Sequence, residues 1–176
     1  YNSFNGYVWN KLFDLQLIRE NDIRFHADYP ACEDTMFVGS YLYHCSRVCV
    51  TEECLYCYRQ VSGGANRGRY SGRKAYDPKW MSVFEMTEYM ADLYKDDAVT
   101  AACRLHEVRE AGIVLRSMEA AGYHGADHAR LKGILRRGAG LFFRDENSGR
   151  SQKLSVLLSC ISPKLELAVW KLRNRK

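Results

Sequence analysis

The chain of 176 residues lacks any run of about 18 apolar residues, the length that a membrane-spanning helix needs. Its first residues, Tyr1 to Gly6, lack the basic flank and the apolar stretch of a secretory signal, and they include no initiator methionine. Internal repeats and low-complexity linkers are also absent. We therefore interpret the chain as an excised piece of a longer cytoplasmic protein, with the size of one domain or of half a larger one.

An excess of positive charge is missing from most of the chain. Residues 1–150 carry 20 basic and 20 acidic side chains, so the formal net charge of +5 comes entirely from residues 151–176. A nucleic-acid surface would spread basic residues over a face of the domain, so we predict no nucleic-acid partner.

The last segment combines leucines at helical spacing with a basic end. This pattern fits either a helix packed on its neighbours or a peripheral contact with the inner membrane surface.

The cysteines number seven, and an odd count without a secretory signal predicts reduced thiols in the cytosol. Cys45-x₃-Cys49 and Cys54-x₂-Cys57 could supply the four thiolates of a zinc site. Cys49 and Cys57, however, fall inside segments that resemble strands, where a zinc site would place its ligands on a turn. Small buried thiols are therefore the favoured interpretation.

The periodicity of apolar residues changes along the chain. Residues 1–75 form a mixed region, with helices predicted at 11–21 and 35–43, strands at 48–50 and 55–59, and a glycine-rich cationic loop at 62–74. Residues 76–176 form a helical region, with stripes at 83–94, 99–121, 127–143 and 154–172. Ser162 followed by Pro163 predicts an N-cap with proline at the first helical position, which interrupts the last stripe.

The adjacent carboxylates Glu33 and Asp34 are the most informative feature, because they stand at the predicted start of a helix. Acids in the first turn of a helix commonly complement its macrodipole. A carboxylate there can also accept a proton from a substrate hydroxyl.

The flanking residues favour the second interpretation. In order, the chain contains Trp9-Asn10-Lys11-Leu12-Phe13, Ile23-Arg24-Phe25, Glu33-Asp34-Thr35-Met36-Phe37 and Tyr56-Cys57-Tyr58-Arg59. This series resembles the acceptor-side half of family 2 glycosyltransferases of the bacterial surface-polysaccharide type, over roughly residues 7–75. The resemblance implies an α/β or α+β fold: the C-terminal part of an A-type, Rossmann-like glycosyltransferase domain, followed by a mostly helical tail.

The resemblance also implies a reaction and its site. These enzymes transfer a sugar from a nucleotide-sugar donor to a saccharide or lipid-linked acceptor, usually with inversion, in cell-surface polysaccharide synthesis. By the same resemblance Asp34 is the general base. Glu33 would orient the acceptor or a loop, Trp9 would form either a site wall or core, and Asn10 would bond a hydroxyl. Lys11 would meet phosphate charge, and Arg59 would neutralise the leaving group, with Arg67 and Arg69 as alternatives.

One part of the family's pattern is missing from this sequence. The donor half and its Asp-x-Asp metal motif should precede Trp9, and neither is present. Mg²⁺ or Mn²⁺ is expected for the complete enzyme, while no cofactor is predicted for this chain, which we expect to be inactive alone. The alternative function is a non-catalytic helical interaction module that zinc could stabilise through Cys45, Cys49, Cys54 and Cys57.

Overall fold

The computed structural model describes residues 6–59 and 76–174. Helices make up 67% of the described residues, and neither described range contains a strand. The predicted α/β, Rossmann-like fold is therefore wrong, because the architecture is all-helical. The glycine-rich loop predicted at 62–74 lies outside the described residues.

The segments predicted as strands have strand-like composition, but the structure pairs neither of them. Val48 is 53% exposed, Val50 is 69% exposed and Leu55 is 76% exposed. A strand is stable only where its backbone groups pair with a neighbour and one of its faces is buried. These residues have no paired neighbour among the described residues and no buried face, so their β-favouring side chains do not produce a sheet.

Seven α-helices occur in the described ranges. They are α1 (Leu15–Glu20), α2 (Glu33–His44), α3 (Ser82–Tyr94), α4 (Asp97–Ala121), α5 (Ala126–Arg144), α6 (Arg150–Ile161) and α7 (Pro163–Arg173). The helices predicted from periodicity are confirmed from α2 onward. The first is shorter than predicted because Asp14 caps it, its carboxylate accepting hydrogen bonds from the backbone N–H groups of Gln16 and Leu17. Ser162 caps α7, with Pro163 at its first position, as predicted.

The described chain divides into two compact units. The first comprises residues 6–59 and 79–100, and in it α2 packs against α3. The Ser40 and Tyr89 hydroxyls lie 2.6 Å apart, and the Tyr94 hydroxyl donates to the Gly39 carbonyl at 2.8 Å. Met36 and Phe84 are almost completely buried. This packing fixes α2, and with it the position of Glu33 and Asp34.

The second unit comprises residues 76–78 and 101–174. Helix α6 packs against both α5 and α7. The buried apolar residues of this unit include Val108, Leu115, Met118, Leu131 and Leu135. The segment from α4 into α5 turns sharply at Gly122, which adopts a φ of 68°.

Candidate functional site

The N-terminus of α2 presents the two carboxylates singled out by the sequence. Glu33 and Asp34 occupy the first helical turn, and both are partly buried. The preceding residue, Cys32, has a left-handed backbone with a φ of 69°. This conformation is unfavourable for a residue with a side chain, and such strain is concentrated at functional sites. The position also allows both acids to complement the helix macrodipole, so the two interpretations share one geometry.

The segment before α1 lies against this helix terminus. A Cβ atom at Gly6 would collide with the Thr35 side chain, so the backbone at residue 6 closely approaches the first turn of α2. Burial lowers the pKa of Lys11 below its usual value, and the negative charge of Asp34 acts in the opposite direction. Lys11 and Asp34 therefore interact electrostatically, although 23 positions separate them in the chain.

The Lys11 ammonium is also held by its local backbone. Its Nζ donates to the Tyr7 carbonyl at 2.8 Å and to Asn10 Oδ1 at 2.7 Å. Asn10 is exposed, and its side-chain oxygen is engaged by this lysine. Within residues 6–59 and 76–174 the Asn10 amide nitrogen makes no hydrogen bond, and an amide nitrogen can donate to a ligand.

Trp9 belongs to a cluster of aromatic rings. Its ring centroid lies 5.6 Å from that of Tyr7, 5.0 Å from that of Tyr56 and 4.9 Å from that of Tyr58. Trp9 is only partly buried, while Tyr56 and Tyr58 are 53% and 55% exposed. An accessible aromatic surface of this kind can bind the apolar face of a sugar ring.

Arg59 follows Tyr58 and is exposed. In the part of the chain that the structure describes, no hydrogen bond or ion pair connects it with Asp34 or Lys11. The alternatives Arg67 and Arg69 lie outside the described residues. Within the described residues, the structure links Lys11 to Asn10 by a hydrogen bond and to Asp34 by charge. Among the same residues it shows no contact of Trp9, Asn10 or Arg59 with the α2 acids, and Arg59 lies one residue beyond the aromatic cluster.

A different group of residues in the second unit has the composition of a metal site. Glu119, His124 and His128 offer ligand atoms that all lie within 4.8 Å of one another, and no other such group occurs among the described residues. Cys45 is half-buried, and Cys49, Cys54 and Cys57 are exposed, so the interpretation of these cysteines as small buried thiols is wrong for the last three. These cysteines do not form such a group in residues 6–59, so the tetrathiolate zinc site stays a prediction.

Sequence reasoning missed this group, although a signal was present. His124 and His128 are four residues apart, with Gly125 between them, and Glu119 precedes the first by five residues. Histidines at this spacing share a helix face only if a helix contains both. His124 lies in the turn before α5 and His128 lies in α5, so helical periodicity alone does not indicate the site.

The second unit also contains a cavity of about 360 Å³, lined by residues that include Arg109, Arg116, Glu166, Trp170 and Arg173. Arg116 Nη1 donates to Glu166 Oε1 at 2.7 Å, and both side chains are more than nine-tenths buried. The guanidinium carbon lies 5.1 Å from the centre of the Trp170 ring. Within the described residues, the buried atoms Arg116 Nε and Glu166 Oε2 make no hydrogen bond, and the same holds for Ser159 Oγ, which lies outside the cavity lining.

Comparison with protein-family models, with curated proteins and with solved structures gives no match for this chain. The resemblance to glycosyltransferases therefore depends on the motifs in the sequence, and the activity stays a prediction. None of the helices in residues 6–59 and 76–174 combines the length and the apolar character that crossing a bilayer requires.

Proposed function

We propose that the first unit carries the acceptor-side part of a sugar-transfer site, with Asp34 as the general base. The observation that supports the proposal is the charge interaction of Asp34 with Lys11, whose ammonium is held by the Tyr7 carbonyl and by Asn10. It joins two of the motifs on which the resemblance depends, and the Trp9 cluster adjoins it in the chain. The proposal does not depend on a Rossmann-like sheet, which the described residues do not form.

The chemistry requires one ionised carboxylate within hydrogen-bond reach of the attacking hydroxyl. Asp34 takes the proton of an acceptor hydroxyl while that oxygen forms a bond to the anomeric carbon of the donor sugar. The bond from this carbon to the nucleotide diphosphate breaks on the opposite face, and the diphosphate leaves with the electron pair. Attack opposite to the leaving group inverts the anomeric configuration.

The neighbouring residues have supporting roles in this proposal. Trp9 offers a ring face to the acceptor sugar, and Asn10 can bond one of its hydroxyls. Lys11 places a positive charge near Asp34 and the acceptor. Glu33 orients the acceptor. Arg59 meets diphosphate charge, and Mg²⁺ or Mn²⁺ is assigned to a donor-binding half of the complete enzyme.

The first test measures acceptor binding by this chain. A variant with Trp80→Phe and Trp170→Phe leaves Trp9 as its single tryptophan, so quenching of its fluorescence by oligosaccharides reports on this site. We expect saturable quenching by one class of saccharide, weakened on Asn10→Ala. Trp9→Ala removes the fluorophore, so its binding is measured by calorimetry, where we expect it to be lost. The parent chain is the control for the two replaced tryptophans, and calorimetry should give the same affinity for the parent and the reporter variant. An absence of saturable binding over a broad glycan panel would count against the proposal.

The second test measures turnover in a longer protein that joins this chain to its nucleotide-sugar-binding half. Asp34→Asn should reduce transfer by about 10²-fold or more, the scale of general base catalysis, without changing donor affinity. Asp14→Asn is the matched control, because Asp14 is an exposed acid that caps another helix of the same unit. Full turnover by the Asp34→Asn protein would refute the assignment of the base.

A second candidate function is a helical interaction module without catalysis. It is favoured by the all-helical architecture and by apolar side chains exposed on α6 and α7. Leu157 is 45% exposed, Ile161 is 66% exposed and Leu172 is 62% exposed. A partner protein would bury these side chains, and the peripheral membrane contact predicted for residues 151–176 would use the same surface.

A further inference from the structure

We propose that Glu119, His124 and His128 form a binding site for one divalent transition-metal ion of the zinc class. The site lies wholly in the second unit, so it is independent of the proposed sugar-transfer site. Three elements contribute one ligand each: the last turn of α4, the connection after it and the first turn of α5.

The turn that assembles these residues is well defined. The Tyr123 N–H donates to the Met118 carbonyl at 2.9 Å, and the Gly122 N–H donates to the Glu119 carbonyl at 3.2 Å. Together with the positive φ of Gly122, these bonds form a Schellman motif that ends α4. The motif reverses the chain within a few residues, so His124 and His128 return to the side chain of Glu119.

Further contacts fix the far side of the turn. The rings of Tyr76 and Tyr123 have centroids 4.8 Å apart, and the Tyr76 hydroxyl donates to Asp127 Oδ2 at 3.2 Å. Burial, followed by the charge of Asp127, raises the pKa of Tyr76, which keeps this hydroxyl a donor. The residue next to His128 is therefore anchored, and the first turn of α5 is held in place.

The geometry of the three side chains is close to that of a metal site. Glu119 Oε1 lies 2.8 Å from His128 Nε2 and 3.9 Å from His124 Nδ1. Bonds of about 2.0–2.2 Å in a tetrahedral arrangement would place ligand atoms roughly 3.4 Å apart. The two measured separations lie on either side of 3.4 Å, and all three ligand atoms lie within 4.8 Å of one another. Side-chain shifts of well under about 2 Å would therefore bring the three atoms to tetrahedral positions around an ion.

Burial distinguishes the roles of the ligands. The side chains of Glu119 and His128 are 4% and 11% exposed, while that of His124 is 50% exposed. A buried carboxylate requires a positive charge or donors close by, and its partners in the described chain are these two imidazoles. A cation would satisfy the carboxylate, and it would reach the site from solvent on the side of His124.

The ligand types indicate which ion the site would take. Two imidazoles and one carboxylate suit zinc and its neighbours, whereas Mg²⁺ and Ca²⁺ prefer oxygen ligands only. Three protein ligands also leave a coordination position for water. Metal ligands must be deprotonated to bind, so affinity should fall at acidic pH.

The test uses the full chain after chelator treatment, with a phosphine reductant to keep the seven cysteines reduced. Zn²⁺ titration should show one site per chain, and His124→Ala should weaken binding by at least about 10-fold, a loss that even indirect ligand contacts can produce. His124 is exposed, so this variant should fold normally. His44→Ala, which removes an exposed histidine at the end of α2, is the matched control.

Co²⁺ provides the second measurement, because it distinguishes this site from a thiolate site. Bound Co²⁺ should shift the imidazole NMR signals of two of the five histidines, namely His124 and His128, and should give no thiolate charge-transfer band. Unchanged affinity in both His124→Ala and Glu119→Gln would overturn the proposal. So would a thiolate band that disappears when Cys45, Cys49, Cys54 and Cys57 are replaced by serine, or an absence of stoichiometric binding.

Discussion

The buried pair of Arg116 and Glu166 allows a quantitative prediction for the second unit. Glu166 Oε1 accepts hydrogen bonds from Arg116 Nη1 and from Ser155 Oγ, each at 2.7 Å. Glu166→Ala would leave the guanidinium buried without its counter-charge. Removing one partner of a buried pair costs about 3–5 kcal/mol, so the variant should be strongly destabilised.

A double substitution separates two free energies: the cost of burying an unpaired charge and the stabilisation that the ion pair itself contributes. Arg116→Met with Glu166→Leu removes both charges and keeps similar volumes. Replacing a whole buried pair by apolar residues is often neutral or stabilising, so the double variant should recover most of the loss from Glu166→Ala. Glu166→Gln should be intermediate, because its amide oxygen still accepts hydrogen bonds without carrying a charge.

The assay is urea unfolding followed by the fluorescence of Trp170, which contacts Arg116. Trp9→Phe and Trp80→Phe in the parent chain restrict the signal to the second unit. If the free energy of unfolding falls by about 2 kcal/mol per molar urea, the urea concentration at the midpoint of unfolding should be lower by roughly 2 M in Glu166→Ala. Lys164→Ala is the control, since this exposed residue lies on the same helix. A shift in Glu166→Ala no larger than that of the control, or a double variant as unstable as Glu166→Ala, would refute the reasoning.

Three further predictions concern other parts of the chain. Lys95 ends α3 with a φ of 49°, so Lys95→Gly should raise the free energy of unfolding by about 0.5–1 kcal/mol in urea, whereas Lys95→Ala should bring no gain. Burial raises the pKa of Cys103, helped by Glu107, and burial also raises that of Cys160. Mass spectrometry should therefore find both thiols alkylated more slowly at pH 8 than the exposed cysteines, with rates that continue to increase above pH 9; equal rates would contradict this. If the α7 surface binds membranes, Leu172→Asn should reduce co-sedimentation with anionic liposomes, and unchanged co-sedimentation would exclude this surface.

The helical part of the fold could be predicted because its signals are local. Apolar spacing indicated α2 to α7, and Ser162 with Pro163 marked the break between α6 and α7. The strands were wrong for a physical reason: the β propensity of residues such as Val50 and Leu55 is realised only when a neighbouring strand and a core are available. A single sequence does not reveal whether they are.

The candidate sites show the same distinction between local and non-local information. The first turn of α2 could be predicted from Glu33 and Asp34. The interaction of Asp34 with Lys11 was indicated only by the order of the motifs. The contact of Trp9 with Tyr58 depends on how the chain folds back, which no local pattern encodes. The Glu119 group depends on the Schellman turn at Gly122, whose backbone conformation decides which side chains meet.

The packing of α2 on α3 has a consequence for the order of events during synthesis. The buried side of α2 contains Met36, Phe37 and Val38, while its partner α3 is not complete until Tyr94. At about 5–20 residues per second, a ribosome needs several seconds to make the 50 residues from His44 to Tyr94. Throughout that interval the apolar side of α2 has no α3 to cover it, so a nascent chain is most open to chaperone capture or misassembly just before α3 emerges.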